Sequence, residues 1–451
     1  MTVSQYFQKH GVANRLEQRS LLIAVNAVAA LSIFFFGYDQ GVMGGVNTAR
    51  HYASLMGFGH YDETDGLVKV DDPLLQGGLV AVYYLPGTLV GAFWGGWLGD
   101  RYGRIMTIGI AAMWAIVGAT LQCSAQNANW MFCARVFNGI GTGILNAITP
   151  VWATETASHT SRGAFVAIEF TLNIFGVVVA YWLEYGTSFY GDGTSSFIWR
   201  FPIAFQIVPL IGLLIVVWFM PESPRWLVKV GRDEEARFIL GRLRGEHDGI
   251  ADAEYHDIKN IVRLEQDNSQ STSYLAMLFG IKQGKLHTAR RVQLVIWLQI
   301  LQEWIGIAGI TIYGPEIFIF PLQVRAKGNA WGVVGWSIGN GWCVLLLPTI
   351  FAALGEKTLY IFGGVNVLAI IVVWALYPET NQRTLEEMNL VFASDSIWEW
   401  EAEKNFKILQ AENPGLVKAA RMGSLGADPE TGLPQDDVFE RRMSLVSQKH
   451  G

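Results

Sequence analysis

Apolar stretches nearly free of charge recur along this 451-residue chain. A helix needs roughly 20 largely uncharged residues to cross a bilayer, with every backbone N–H and C=O bonded inside the segment. Residues 203–220 and 358–377 meet or nearly meet that length. Charged residues make up only 16% of the chain and hydrophobic ones 51%, with 17 tryptophans, against roughly 25% charged in an average soluble domain. This pattern excludes an ordinary soluble domain and predicts an all-α, polytopic membrane bundle. The net charge of −6 decides little, because in such a chain the position of each charge matters more than the sum.

The chain divides by composition. A polar start, 1–20, precedes six expected spans within 21–220, at about 21–46, 75–98, 105–122, 131–154, 164–185 and 201–220. The first run is long enough to span and its flank is polar and mixed in charge, so no cleavable leader is expected. The segment 221–291 is charged, contains helix-forming runs such as 233–244, and reads as a small helical insert. About three spans follow within 292–377, at about 292–320, 330–354 and 357–377, and a polar tail occupies 378–451. Arg15, Arg19, Arg101, Arg104, Arg162 and the insert fall on one side, while the opposite loops hold Arg50, Lys69 and Arg200. The excess of basic residues places the amino terminus and the insert in the cytosol.

Several soluble chemistries find no footing. Cys123, Cys133 and Cys343 lie in or beside apolar runs without ligand spacing, and the eight histidines are scattered. No glycine loop followed by Lys and Ser or Thr is present to cradle a phosphate. Neither an enzyme, a cofactor, a metal site, an ATP-driven pump nor a nucleic-acid partner is therefore expected. Asp39 is the sharpest single signal, because a carboxyl inside a span is costly and usually functional.

Ordered motifs run through the chain: Gly37-Tyr38-Asp39, the turn from Gly96 to Arg104, Arg135 followed by Gly139, Gly141 and Gly143, Glu155 with Arg162-Gly163, Pro221-Glu222-Ser223-Pro224-Arg225, Gln302-Glu303 through to Tyr313, and Pro378-Glu379-Thr380. Together they resemble the fungal sugar porters of the major facilitator superfamily. The resemblance implies a multi-pass carrier in the plasma membrane that moves a sugar or polyol by alternating access, with the bilayer and a proton as its other partners. It further implies that Asp39 and Arg135 couple the proton, the other reading being a structural ion pair in a facilitator. Asp100, Arg101, Arg104, Glu155, Arg162, Glu222, Arg225, Arg325 and Glu379 correspond to the family's cytosolic charge network. Gln302 corresponds to its sugar-binding glutamine, and Glu303, Asn173, Glu169, Trp336 and Asn340 complete the substrate candidates, since a neutral polyol needs amide donors and acceptors in a dry cleft.

The two halves are unequal. From the start of the first span to Arg162 is about 140 residues, whereas from the start of the seventh to the corresponding Arg325 is only about 32. The segments from Arg162 to Pro221 and from Arg325 to Pro378 are about equal, so the deficit is localised where Phe318 runs into Ile319. It amounts to about three spans, leaving about nine where the resemblance implies twelve. Losing an odd number puts Arg325 and Lys327 on the side opposite the insert, against the preference of basic residues. A splice variant or an error of gene prediction accounts for this, and the competing functional expectation is a non-transporting sensor or an inactive form.

Overall fold

A computed structural model describes residues 11–62, 67–157, 162–190, 195–245, 249–267, 273–280, 288–305, short pieces between 331 and 354, 358–377 and 398–412; some side chains within these, including those of 162–170 and 302–305, lie outside the description. Five of the described helices are long and apolar enough to cross a membrane. Helix α1, Gln18–Val46, opens on a reciprocal box between Glu17 and Ser20 that satisfies two of its free N-terminal donors. A short helix α2, Arg50–Met56, and a hairpin of β1, Gly59–Asp62, and β2, Leu67–Val70, follow with Gly59 opposite Val70. Sequence reading gives only a mixed polar loop here. The segment is ordered by burying Tyr52 and Phe58, whose rings lie 5.8 Å apart, with Tyr52 5.3 Å from Trp199.

Helix α3, Pro73–Tyr102, starts with proline where a missing N–H costs nothing and with Asp72 accepting from Leu75 N–H at 3.0 Å. A π-helical turn over Tyr83–Thr88 interrupts it at Pro86, which supplies no donor to the helical ladder. Helices α4, Arg104–Cys123, α5, Ala128–Thr156, and α6, Arg162–Ser188, follow. Helix α7, Phe197–Val217, is broken at Gln206, where sequence reading expects one continuous span; Pro202 lies in its first part and its carbonyl accepts from the Tyr38 hydroxyl at 2.7 Å.

The helices pack at backbone distance because glycines face one another. A Cβ on Gly37 of α1 would lie 1.9 Å from the Asn173 carbonyl oxygen of α6, and one on Gly139 of α5 would lie 2.4 Å from that of Tyr83 in α3. Such close approach suits a bilayer, where association depends on dispersion contacts rather than on expelling water. The shared core joins α1, α4, α5 and α7 through Phe35, Ile108, Ile144, Trp152 and Leu210. Large apolar side chains cover the outside instead, among them Ile174, Trp182, Val208, Tyr360 and Ile370. A soluble protein rarely exposes so much; lipid accepts it.

Helices α8, Pro224–Lys229, α9, Asp233–Arg244, and α10, Ile250–Asp267, build the insert around Leu227, Ile239, Leu240, Tyr255 and Ile258. Helix α9 carries Asp233, Glu234 and Glu235 in its first turn and Arg242 and Arg244 in its last, complementing its dipole. Arg244 ties the insert to the end of α5 by donating to the carbonyls of Thr156 and Ala157 at 3.2 and 3.0 Å. Beyond it lie α11, Tyr274–Phe279, α12, Thr288–Ile305, α13, Thr358–Leu376, and α14, Glu399–Glu412. The Tyr377 hydroxyl joins the end of α13 to α12 through the Leu294 carbonyl at 2.8 Å.

Candidate functional site

Among the described residues of the first six long segments, two buried charged clusters stand out, one where the insert meets the helix ends and one toward the opposite end. The first is built on a turn. Gly103, between α3 and α4, has φ +93°, a left-handed conformation that L side chains avoid. It aims the first N–H groups of α4 at the Glu222 carboxylate, which accepts from Arg104 N at 3.0 Å, Ile105 N at 3.2 Å and its neighbour Ser223 N at 2.9 Å. A remote carboxylate thereby caps α4 at the positive end of its dipole. Burial raises the Glu222 pKa, while those N–H groups and the nearby Arg104 charge pull it back.

The Arg104 guanidinium turns to Glu155 at the end of α5. Nε and Nη2 donate to its two oxygens at 2.9 and 3.0 Å, and Nη1 donates to the Gly99 carbonyl at 2.8 Å. Ser223 Oγ donates to Glu155 Oε2 at 2.6 Å and accepts from Trp226 N at 3.3 Å, capping α8. Asp100 lies at the rim, 3.1 Å from Lys229 Nζ and 3.9 Å from Arg104 Nη1. Indole donors from Trp226 to the Asp100 carbonyl and from Trp152 to the Pro221 carbonyl, each 3.0 Å, complete the knot. It binds the ends of α3, α4, α5 and α8. Sliding any one past the others breaks charged hydrogen bonds that fit only in this geometry.

Of the residues expected in this network, Asp100, Arg104, Glu155 and Glu222 are brought together. Arg101 lies outside it, exposed, over the rings of Trp97 and Tyr102 at 5.5 and 5.7 Å. Arg225 is buried in α8. Arg162 begins α6 with its side chain outside the description, and Arg325 and Glu379 lie outside the described residues. Sequence reading missed Ser223, Trp226 and Lys229 as partners, although Ser223 directly follows Glu222 and stands before Pro224 in the pattern of a helix cap.

The second cluster pairs Asp39 of α1 with Arg135 of α5. Asp39 stands seven residues before the end of α1, and Arg135 seven after the start of α5. At 1.5 Å per residue, each lies about 10 Å inside the same end of two antiparallel helices. Arg135 Nη1 approaches Asp39 Oδ1 at 3.6 Å, and both side chains are fully out of solvent. Asn138 Nδ2 donates to Asp39 Oδ2 at 3.1 Å, and the Arg135 guanidinium covers the Tyr83 ring at 4.5 Å. Sequence reading missed Asn138 and Tyr83. Asn138 had a signal, one turn after Arg135 on the same face; Tyr83 is delivered by the π turn of α3, which no periodicity marks. Also missed is Glu184, buried on α6, which accepts from Gly45 N and Val46 N at 3.1 and 3.2 Å near the end of α1.

The expected substrate residues are not gathered in one described place. Asn173 is buried, its backbone against Gly37 in the seam of α1 and α6, and Glu169 stands one turn earlier on α6 with its side chain outside the description. Gln302 and Glu303 stand in the last turn of α12, also without described side chains, and Trp336 and Asn340 lie outside the described residues.

The family described as "Sugar (and other) transporter" matches this chain in two pieces, 25–318 and 319–392. The MFS-type transporter oryC of Aspergillus oryzae is 34% identical over 72% of this chain and 59% of its own length. The sugar transporter STL1 of Saccharomyces cerevisiae is 30% identical over 75% of this chain and 58% of its own. The chain thus spans under two thirds of the length of these relatives. Among solved structures, the inward-open xylose transporter XylE from E. coli aligns over 81% of this chain and 98% of its own with a TM-score of 0.57 and 20% identity, a likeness of fold.

Proposed function

The chain belongs to the sugar transporter family of the major facilitator superfamily, and from that premise we propose that it carries a monosaccharide or related polyol across a membrane by alternating access, together with a proton. The buried pair of Asp39 and Arg135 carries this reading. A carboxylate and a guanidinium removed from water are stable only while they face each other. Protonating Asp39 cancels one of the two charges and frees α1 from α5, which is what a proton-driven rocking step needs. The interlocked helix ends at Arg104, Glu155 and Glu222 supply the second requirement, a lock that holds one orientation until it is broken. Gln302, Glu303, Asn173, Glu169, Trp336 and Asn340 are the residues proposed to face the substrate. The distribution of basic residues supports an amino terminus and insert in the cytosol, and the likeness to fungal sugar porters supports the plasma membrane as the location proposed.

Uptake of labelled sugars in cells lacking their own carriers, with external pH recorded, tests the reading. Sugar-dependent alkalinisation that Asp39→Asn abolishes supports symport; uptake that Asp39→Asn leaves unchanged, without alkalinisation, replaces it with facilitated diffusion.

One observation favours a second reading, an inactive shortened form. The two pieces of the family match meet between Phe318 and Ile319, the place where the halves differ in length by about three spans. Absence of uptake by this chain, with uptake restored once three spans are inserted at that junction, selects the second reading.

A further inference from the structure

Asn138 makes a contact that proton coupling by Asp39 and Arg135 alone leaves without a role. It is wholly buried on α5 and donates Nδ2–H to Asp39 Oδ2 at 3.1 Å, closer than the 3.6 Å from Arg135 Nη1 to Asp39 Oδ1. Its own Oδ1 is buried and has no hydrogen-bond partner among the described residues. A guanidinium only donates, so it serves a carboxylate and has nothing to offer the O–H of a carboxylic acid. A primary amide donates and accepts, and a turn about its last bond exchanges the two roles. The other charged or titratable groups facing Asp39 are Arg135 from α5, Tyr83 from α3 and the adjacent Tyr38 of α1. Glu184 of α6 sits further along α1, at Gly45 and Val46.

We propose that Asn138 is a positioning residue for the proton site, holding Asp39 in both protonation states: Nδ2–H serves the carboxylate, and Oδ1 accepts the O–H that forms when a proton arrives. The charge balance is simple. The carboxylate takes one proton from solution, Arg135 loses its counter-charge, and Asn138 keeps Asp39 in place while Arg135 is released. This rests on the symport reading for its use but not for its test.

The full chain in lipid vesicles is titrated by infrared difference spectroscopy, following the carboxylic C=O band that Asp39→Asn removes. Replacing Asn138 by the apolar Leu takes a charge-assisted donor from the ionised form and a weaker neutral acceptor from the acid; the ionised form loses more, so the midpoint moves to higher pH by somewhat under about one unit. The band also moves to higher frequency, because the acid loses its acceptor. Asn138→Ala is read alongside, since α4 closes on this residue with Gly118 and the larger side chain could disturb that contact. Unchanged midpoints in Asn138→Leu and Asn138→Ala overturn the proposal, as does a carboxylic C=O band that keeps its frequency in both or the absence of any band that Asp39→Asn removes. Because the readout needs no sugar uptake, uptake without alkalinisation overturns the symport reading alone.

Discussion

Arg104 and Glu155, fifty-one positions apart, meet through two parallel hydrogen bonds of 2.9 and 3.0 Å with both side chains shut away from solvent. Such a fork is strong while intact and costly to leave half-made. Removing one partner of a buried pair typically costs about 3–5 kcal/mol, because the other charge stays buried alone. Glu155→Ala is therefore expected to lower stability by about that amount, read as a loss of thermal stability in detergent or nanodiscs. Arg104→Lys keeps the charge but not the fork and should fall between Glu155→Ala and the parent. Equal stability of all three proteins would show that the fork does not hold the helix ends.

Gly103 is expected to reject any side chain for two independent reasons. Its φ of +93° with ψ of 172° strains an L residue by on the order of 1–3 kcal/mol, and a Cβ there would lie 2.5 Å from Glu222 Oε2. Gly103→Ala should destabilise by more than the strain alone. The displacement component is isolated by repeating the substitution in a Glu222→Ala background, where the cost should shrink.

Gly37 and Gly186 make a matched pair of tests for packing between α1 and α6. A Cβ on Gly37 meets the Asn173 backbone at 1.9 Å, and neither backbone can swing aside as a flexible side chain would; a Cβ on Gly186 meets nothing within 4 Å. Gly37→Val should abolish or sharply reduce folded protein recovered by size exclusion. Gly186→Ala should be neutral or stabilise by about 0.5–1 kcal/mol through helix propensity.

In the insert, Lys259 Nζ lies 2.8 Å from Asp233 Oδ2. The hydrogen bond from Lys259 holds the Asp233 pKa below its ordinary value, and the same bond raises that of Lys259. The depressed Asp contributes stability above its unfolded pKa near 3.9 that is lost as pH falls through the lower folded value. The raised Lys contributes stability below its unfolded pKa near 10.4 that is lost as pH rises through the higher folded value. Asp233→Asn should thus lower stability between about pH 4 and pH 10, with no difference in stronger acid. Both side chains are partly exposed, so the effect should stay at or below about 1 kcal/mol and shrink in high salt.

Local hydropathy and motif order carried much of the architecture. The ends of α1, α4 and α5 fall within about three residues of the apolar runs, because a span's length is set by the bilayer and is written in consecutive residues. Hydropathy does not register the interruptions inside spans: the π turn at Tyr83–Thr88 and the break at Gln206 redirect the backbone while the apolar run continues, and Pro86 and Pro202 are the marks they leave in the sequence. Nor was the role of Arg101 legible. It reads as an equal member of the Asp100, Arg101 and Arg104 triplet, yet successive positions on a helix point about 100° apart, and that rotation carries it out to Trp97 and Tyr102.

The sequence by itself determined the class of molecule, its family and the unequal length of its halves, since all three depend on composition and on the order of motifs along one chain. Only the tertiary structure decided who faces whom. Antiparallel packing brings Asp39 and Arg135 to one depth, the Gly103 turn delivers α4 to Glu222, and a single helical turn places Asn138 on the carboxylate that Arg135 approaches. Such pairings depend on the rotation and depth of helices far apart in sequence. Those are set by close contacts such as Gly37 on Asn173 and Gly139 on Tyr83, which hydropathy does not record.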